Sequence, residues 1–509
     1  MMKKNKSTDS DINELVKRLQ ELAHLNSALA LLHWDQDVNM PERGSQRRAE
    51  TISHLSGILH DKAIIIDHDG LLSRLKRKLD GKELNAREAV VVNETWRNYE
   101  REKKLPEDFV REKAEIISHS QTVWPAARAE NNFKKFKPWL EKVVALKRKE
   151  AELVGYQNEP YDALLDVYEP GMRTAEVAMI LNDLKDFLVP FVQKIKKSKI
   201  KINPKLIRGE YAEADQKKFG QLIVEKMGFS YASGRVDKSP HPFTTNFHAD
   251  DVRFTIHYSH TNPWQAISCF LHEGGHALYE QGLKDEHFGT PLADSISLGI
   301  HESQSRLWEN VVGRSREFWR YFYPKLQKQF PAQLNKIKLE DYYQTINRVE
   351  PSLIRVYADE VTYNLHIILR FEIERELVNG TISVSDLPKI WNKRIEEYFG
   401  IKVPSDRLGV LQDVHWSSGL FGYFPTYSLG NLYAAQFYEQ AKKDVSGLSG
   451  KISHGNLAFL HEWLRQNIHI HGKFYTAGGL VREVTGEELS SKYFINYLKR
   501  KYGELYQLN

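Results

Sequence analysis

At the centre of the chain stands Phe270-Leu271-His272-Glu273-Gly274-Gly275-His276-Ala277-Leu278-Tyr279-Glu280, a stretch that contains the pattern His-Glu-x-x-His among apolar residues repeating at helical intervals. Residues four apart lie one above the other on a helix, so His272 and His276 direct two imidazoles toward one point. Two imidazoles on one helical face suit a zinc ion. Glu273 lies one residue further round, where its carboxylate can hold a water beside such an ion.

A helix is predicted around this stretch. Asn262 is a suitable N-cap, Pro263 suits the first helical position, and Gly282 is a typical stop. Gly274 and Gly275 each cost roughly 1 kcal/mol in a helix interior, which indicates that another element approaches closely there. The alternative, two ordinary histidines on a polar helix face, is disfavoured by the apolar residues that surround them.

A catalytic zinc usually takes three protein ligands and leaves one position open. A second helix-like segment, residues 295–312, contains His301 and Glu302, and His301 follows His276 by 301 − 276 = 25 residues. If this segment folds back onto the first helix, Glu302 can complete a His-His-Glu set, although His301 competes for the same role. A solvated Glu302 is the alternative, because most glutamates lie at the surface. Cys269, one turn before the first histidine, is interpreted as a small core residue.

Composition limits the class of protein. The chain has 509 residues, 41% of them hydrophobic, enough for a large core or two lobes. Its net charge of +5 comes from 72 basic and 67 acidic residues, a near balance that argues against a nucleic-acid partner. The single cysteine excludes an intrachain disulfide and favours a reducing compartment. No apolar run approaches the roughly 18 residues of a membrane span or follows the basic start as in a signal peptide. We therefore expect a cytoplasmic protein with residues 1–10 disordered.

The rest of the chain is predicted to be mostly α-helical. Leucines recur every three or four positions over residues 13–32 and predict a long amphipathic helix, which residues 34–41 interrupt. Helical periodicity also covers residues 353–378. The one segment with strand character, residues 229–260, predicts a small antiparallel sheet immediately before the metal helix. We expect a single catalytic unit, residues 1–509, with two lobes about a groove.

Several separate stretches resemble one family, the thermostable carboxypeptidase (carboxypeptidase Taq) family of zinc metallopeptidases. Six motifs occur in the family's order, so the resemblance covers the full chain and is very specific. They are residues 241–243 (His-Pro-Phe), 251–255 (Asp-Val-Arg-Phe-Thr), 272–276 (His-Glu-Gly-Gly-His), 301–304 (His-Glu-Ser-Gln), 354–359 (Ile-Arg-Val-Tyr-Ala-Asp) and 409–416 (Gly-Val-Leu-Gln-Asp-Val-His-Trp).

The resemblance implies a metallocarboxypeptidase that removes single residues from peptide C-termini, with broad side-chain tolerance and poor release of proline. It implies a helical, neurolysin-like fold with a deep groove, often as a homodimer. It also implies His272, His276 and Glu302 as zinc ligands and Glu273 as the general base. Cobalt can replace zinc at a nitrogen and oxygen site of this kind.

An exopeptidase must also recognise the free terminal carboxylate of its substrate. The bidentate fork of arginine holds a buried carboxylate best. Arg355 and Arg253 both lie in family motifs, and we favour Arg355 for the substrate, with Arg253 lining the same pocket. The alternative is a structural ion pair, for example between Arg355 and Asp359, four residues on.

The oxyanion that develops during peptide hydrolysis needs a donor beside the metal. His415 and Tyr423, in and just after the last motif, are candidates, and aromatic packing is their alternative role. His241 is a candidate for substrate binding, or else part of a proline-rigidified turn that shapes the groove.

The sequence leaves two alternative functions open. An endopeptidase or oligopeptidase on the same helical scaffold would cut inside peptides rather than remove one residue at a time. A helical binding protein with a structural zinc would have no open coordination position and no role for Glu273.

Overall fold

The computed structural model describes residues 6–508, with side chains from residue 10 onward, and is mostly helical, as expected. Disorder was expected over residues 1–10, and residues 1–5 of that segment lie outside the described residues. The first helix begins at Lys6. The helices before the sheet are α1 (Lys6–Val38), α2 (Ser45–Ile64), α3 (Leu71–Asp80), α4 (Ala86–Lys103), α5 (Glu107–Ala129), α6 (Phe133–Val154), α7 (Pro160–Leu165), α8 (Thr174–Lys197) and α9 (Glu213–Met227).

Helix α1 is longer than its leucine pattern predicts. The expected interruption from Trp34 onward is wrong, because the helix continues to Val38. Trp34 is buried, and the guanidinium of Arg253 lies 4.5 Å from the centre of its ring. Asp35 pairs with Arg48 of the next helix at 2.6 Å. These contacts with other elements hold the last turn of α1 in place, which the local sequence does not reveal.

Three strands follow, namely β1 (Gly234–Lys238), β2 (Thr244–His248) and β3 (Asp251–Ile256). Their order is β1-β3-β2, with β2 antiparallel and β1 parallel to β3. The predicted antiparallel sheet is therefore wrong in part, since the sheet is mixed. Strand β3 takes the centre because Val252, Phe254 and Ile256 are fully buried, whereas the more polar β1 and β2 suit the two edges.

The chain continues through α10 (Pro263–Gly282), α11 (Leu298–Arg306), α12 (Arg316–Gln329), α13 (Pro331–Leu334), α14 (Leu339–Ile346), α15 (Tyr363–Asn379), α16 (Leu387–Phe399), α17 (Pro425–Asp444), α18 (Leu448–Ser453), α19 (Ala458–Asn467), α20 (Ala477–Thr485) and α21 (Lys492–Tyr506). The helix predicted over residues 353–378 is wrong in its first part, because α15 begins only at Tyr363. The carboxylate of Asp359 accepts the N–H groups of Val361 and Thr362 and so supports a late helix start.

Beside the sheet lies an open space that His272, His276 and Glu302 do not line. It is a cavity of about 1110 Å³ between α1, α2 and α4 on one side and β2 with the loop before α11 on the other, and its lining includes Leu22, Tyr99, Asn246 and Phe288. Helices α1, α3 and α4 have a small apolar core of their own, whereas the main core surrounds α10. Within residues 6–508 no helix combines the length and apolar character of a membrane span.

Candidate metal centre

Helix α10 is buried between other helices, and its glycines explain how. The side chain of Asn262 accepts the N–H of Trp264 and caps the helix, as predicted. A Cβ on Gly275 would lie 2.6 Å from the backbone oxygen of Gln304, so the glycine lets α11 approach closely. Gly430 of α17 does the same on the other side, where a Cβ would lie 2.5 Å from Cγ of Glu302. Helix α11 therefore packs closely between α10 and α17.

This packing brings three predicted ligands together. His272, His276 and Glu302 each offer one atom, and the three atoms lie within 4.8 Å of one another. Oε2 of Glu302 lies 3.5 Å from Nε2 of His276 and 3.9 Å from Nε2 of His272. Two imidazole nitrogens and one carboxylate oxygen form the donor set of a catalytic zinc site.

The other nitrogen of each imidazole already has a partner. Nδ1 of His272 lies 2.9 Å from Oε2 of Glu309, and Nδ1 of His276 lies 2.5 Å from Nδ1 of His301. Metal-binding histidines characteristically hydrogen-bond through the second nitrogen, which orients the ring. Both Nε2 atoms are therefore left facing Glu302, so the cluster fits a divalent cation.

Sequence reasoning missed Arg306 and Glu309. Nε of Arg306 donates to Oε1 of Glu302 at 2.6 Å, and its Nη1 donates to Oε2 of Glu309 at 3.3 Å. The other oxygen of Glu302, Oε2, faces the imidazoles. A π-helical segment, Leu307–Val312, extends α11 and carries Glu309. The signal available in the sequence was the interval of seven residues between the two glutamates, which is two helical turns.

Burial and charge shift the pKa values of the cluster. Burial opposes ionisation of Glu302, but Arg306 and the imidazoles hold the pKa of this carboxyl well below its usual range. Burial also opposes a charge on His272, yet Glu302 and Glu309 raise its pKa. Burial and then the neighbouring His301 lower the pKa of His276 to about 3. Burial raises the pKa of Glu273, the predicted base.

His301 lies beside the cluster rather than in it. Its Nδ1 faces His276, and its Nε2 lies 2.6 Å from Oε1 of Glu280. Glu302 and His301 were the two candidates for the third metal ligand. Glu302 faces the imidazoles of both His272 and His276, whereas His301 faces only that of His276. Burial raises the pKa of the Cys269 thiol to about 12, as suits a packing residue.

The two candidate arginines have different surroundings. Nε and Nη2 of Arg355 donate to Oδ1 of Asp413 at 3.1 and 2.9 Å, and Nη1 donates to the hydroxyl of Tyr363. Arg355 therefore pairs with Asp413 rather than with Asp359. Arg253 instead makes a bidentate salt bridge with Asp251 on β3. The contacts described for Arg253 and those described for Arg355 involve different residues. These contacts therefore do not place the two arginines in one pocket.

The remaining candidates lie among aromatic rings. The ring centres of His415 and Tyr423 are 5.5 Å apart, and the hydroxyl of Tyr427, which sequence reasoning missed, lies 3.5 Å from Nε2 of His415. Burial raises the pKa of Tyr423, and the charge of Glu302 adds to the shift, so this phenol lies within electrostatic range of the cluster. The exposed His241 accepts the hydroxyl of Ser239 at its carbonyl, within the proline-flanked turn.

Comparison with known proteins gives a consistent result. The family model for the Carboxypeptidase Taq (M32) metallopeptidases matches residues 14–502. Thermostable carboxypeptidase 1 of Thermus thermophilus is 40% identical over 505 residues, which cover 97% of this chain and 98% of that protein. Carboxypeptidase 1 of Bacillus subtilis is 37% identical over 495 residues, with 97% and 98% covered.

Solved structures agree. The M32 carboxypeptidase of Deinococcus radiodurans superposes with a TM-score of 0.94 at 36% identity, covering 98% of this chain and 100% of that one. The carboxypeptidase of Pyrococcus furiosus gives a TM-score of 0.93 at 38% identity, with 97% and 99% covered. Sequence motifs, fold and near-complete coverage all lead to one conclusion: the chain belongs to the carboxypeptidase Taq (M32) family and is a metallocarboxypeptidase that acts on peptides.

Proposed function

We propose that this carboxypeptidase hydrolyses the last peptide bond of its substrate with the help of a zinc ion held by His272, His276 and Glu302. The observation that carries the proposal is the convergence of two Nε2 atoms and one Oε2 atom on a single point. The mixed nitrogen and oxygen donor set suits Zn²⁺, and Co²⁺ can substitute for it.

Glu273 is the proposed general base. A divalent cation held in this site would make water more acidic and polarise the scissile carbonyl. Glu273 lies next to His272 on α10, and its buried carboxylate has a raised pKa, so it accepts a proton more readily than an exposed glutamate. In the proposed reaction Glu273 takes a proton from the attacking water and delivers it to the leaving amine.

His415 and Tyr423 are the proposed donors to the developing oxyanion. Burial lowers the pKa of His415 to about 4, so this imidazole is neutral near pH 7 and one ring nitrogen carries a proton. Burial raises the pKa of Tyr423, so its hydroxyl stays protonated and can donate. Tyr427 lies between His415 and Arg355 and supports the arrangement by packing.

Arg355 is the proposed anchor for the terminal carboxylate of the substrate. Asp413 also accepts from Arg370, so two buried guanidinium groups share one carboxylate and leave a surplus positive charge. An anion from the substrate would compensate this charge, and arginine binds carboxylates with good geometry. Arg253 and His241 stay predictions for substrate binding along the groove.

A peptide with an amidated C-terminus tests the anchor. The wild-type enzyme should cleave it much more slowly than the same peptide with a free carboxylate, because the amide carries no charge for Arg355. Arg355→Ala should lower kcat/KM for the free peptide and bring the two peptides to similar rates. If Arg355→Ala still prefers the free carboxylate as strongly as wild type, Arg355 is not the anchor. Arg482→Ala, a change at an exposed arginine on α20, provides the control.

Mass spectrometry of a mixed peptide pool tests the overall proposal. We expect ladders that lose one residue at a time from the C-terminus, for many terminal side chains, with a pause at proline. Incubation with a chelator should stop the reaction and added zinc should restore it. Internal cleavage products would instead favour an endopeptidase. A chelated enzyme that keeps full activity would contradict metal-dependent hydrolysis.

We also propose a homodimer in the reducing cytoplasm. The family resemblance supports the dimer, and the presence of one cysteine in 509 residues supports a reducing compartment. Light scattering from the purified chain would contradict the dimer if it gave the mass of a single chain.

A further inference from the structure

Strand β2 is the edge of the sheet that runs beside the catalytic helix. Residues two apart in a strand share a face, and Thr244 and Asn246 both contact side chains of α10. Thr245 and Asn246 also line the cavity beside the sheet. Strand β2 therefore lies against both this cavity and helix α10.

Thr244 contacts the proposed base directly. Its hydroxyl donates to Oε2 of Glu273 at 2.7 Å and lies 3.2 Å from the backbone oxygen of the same residue. The hydroxyl thus stands between the carboxylate and the main chain of Glu273. A hydrogen bond to a buried charged oxygen restricts the rotation of that side chain. Thr244 therefore selects one orientation of the base.

Asn246 begins a longer chain of contacts. Its side-chain amide donates to Oε2 of Glu280, and the other oxygen of Glu280 lies 2.6 Å from Nε2 of His301. Nδ1 of His301 then lies 2.5 Å from Nδ1 of His276. The chain ends on a predicted metal ligand.

The protons in this chain can be placed in one consistent way. If Nδ1 of His276 carries a proton, it donates to Nδ1 of His301, and Nε2 of His301 donates to Glu280. Each donor then has one acceptor. The assignment leaves the lone pair on Nε2 of His276 for a cation, which is the tautomer that metal binding requires.

We propose that strand β2 positions both the general base and one metal ligand of the site. Thr244 orients the carboxylate of Glu273, and Asn246 orients the imidazole of His276 through Glu280 and His301. The inference rests on the proposed function, in which Glu273 is the base and His276 is a ligand. Thr244, Asn246, Glu280 and His301 are positioning residues, since they act through those two groups.

Substitution of Thr244 should change kcat, whereas substitution of His301 or Asn246 should change zinc affinity. Thr244→Val should lower kcat by about 10- to 100-fold, the effect of losing a hydrogen bond to a charged group, with KM and zinc affinity unchanged. Thr244→Ser keeps the hydroxyl and should restore most of kcat. His301→Phe keeps a ring of similar size and should raise the zinc dissociation constant by about 10- to 100-fold. Asn246→Ala should shift it in the same direction. Chelator competition measures the zinc affinity of each variant independently of turnover.

Thr255→Val is the matched control. Thr255 is a buried sheet threonine whose hydroxyl hydrogen-bonds with the hydroxyl of Ser239 and accepts the N–H of Phe243, and none of its described hydrogen bonds goes to α10. The control should lower the melting temperature without changing kcat or zinc affinity. The proposal is overturned if Thr244→Val turns over like wild type, if Thr244→Ser is as slow as Thr244→Val, or if His301→Phe binds zinc normally.

The activity of Glu273→Gln distinguishes an error in this inference from an error in the proposed function. If Glu273→Gln is inactive but Thr244→Val is fully active, Glu273 stays the base and only its positioning by β2 is wrong. If Glu273→Gln is itself active, the proposed mechanism is wrong whatever Thr244 does.

Discussion

Glu273→Gln is expected to keep its zinc and to lose nearly all of its turnover. Glutamine has almost the same shape as glutamate but cannot accept the proton of the attacking water. General-base catalysis typically contributes about 10²- to 10⁴-fold to a rate, so kcat should fall within that range. Because the carboxylate of Glu273 accepts from Thr244 and is not one of the three converging groups, zinc binding should persist. The measurements are kcat on a peptide with a free C-terminus and the zinc content of the purified variant.

Glu286→Gln is a suitable control, since its side chain is 62% exposed and pairs with Lys284 only loosely. It should match wild type in both measurements. Glu273→Gln with more than a few per cent of wild-type activity would show that another group accepts the proton.

Glu302→Ala is expected to lose the metal rather than the fold. The change removes the one carboxylate oxygen that faces both imidazoles. Zinc affinity should fall by more than the roughly 10- to 100-fold that loss of an outer partner costs. Arg306 keeps Glu309 as a partner at 3.3 Å, so its buried charge stays compensated and the helices should stay packed. Chelator competition measures the affinity, and circular dichroism checks the helical content.

Glu309→Gln is the matched comparison, because Glu309 contacts His272 but is not one of the three converging groups. Its zinc affinity should fall only within the range of an outer partner. If Glu302→Ala binds zinc as tightly as Glu309→Gln does, Glu302 is not a ligand. Activity that returns to Glu302→Ala at high zinc concentration would agree with a weakened site.

The local pattern of the sequence was sufficient to predict helix α10. Asn262 caps it and Gly282 ends it, as predicted, and the interval of four residues places His272 and His276 on one face. The glycine interpretation also agrees with the structure, since α11 packs against Gly275. Such features depend on backbone conformations and side chains within a few residues, so the sequence specifies them directly.

Contacts between distant segments were less predictable. The mixed order of the strands, the last turn of α1 around Trp34, and the pairing of Arg355 with Asp413 each depend on residues far apart in the chain. The alternative pairing of Arg355 with Asp359 rested on helical spacing, but that segment is not a continuous helix.

Local motifs and helical periodicity were enough to predict the family, the mostly helical class and the helix that carries the two histidines. The packing of the helices was needed to show that Oε2 of Glu302 faces both imidazoles, that His301 contacts His276, and that Arg306 and Glu309 surround the cluster. Helical periodicity is encoded in neighbouring residues. The approach of α11 to α10 depends instead on close packing between helices that are not adjacent in sequence, which local patterns do not specify.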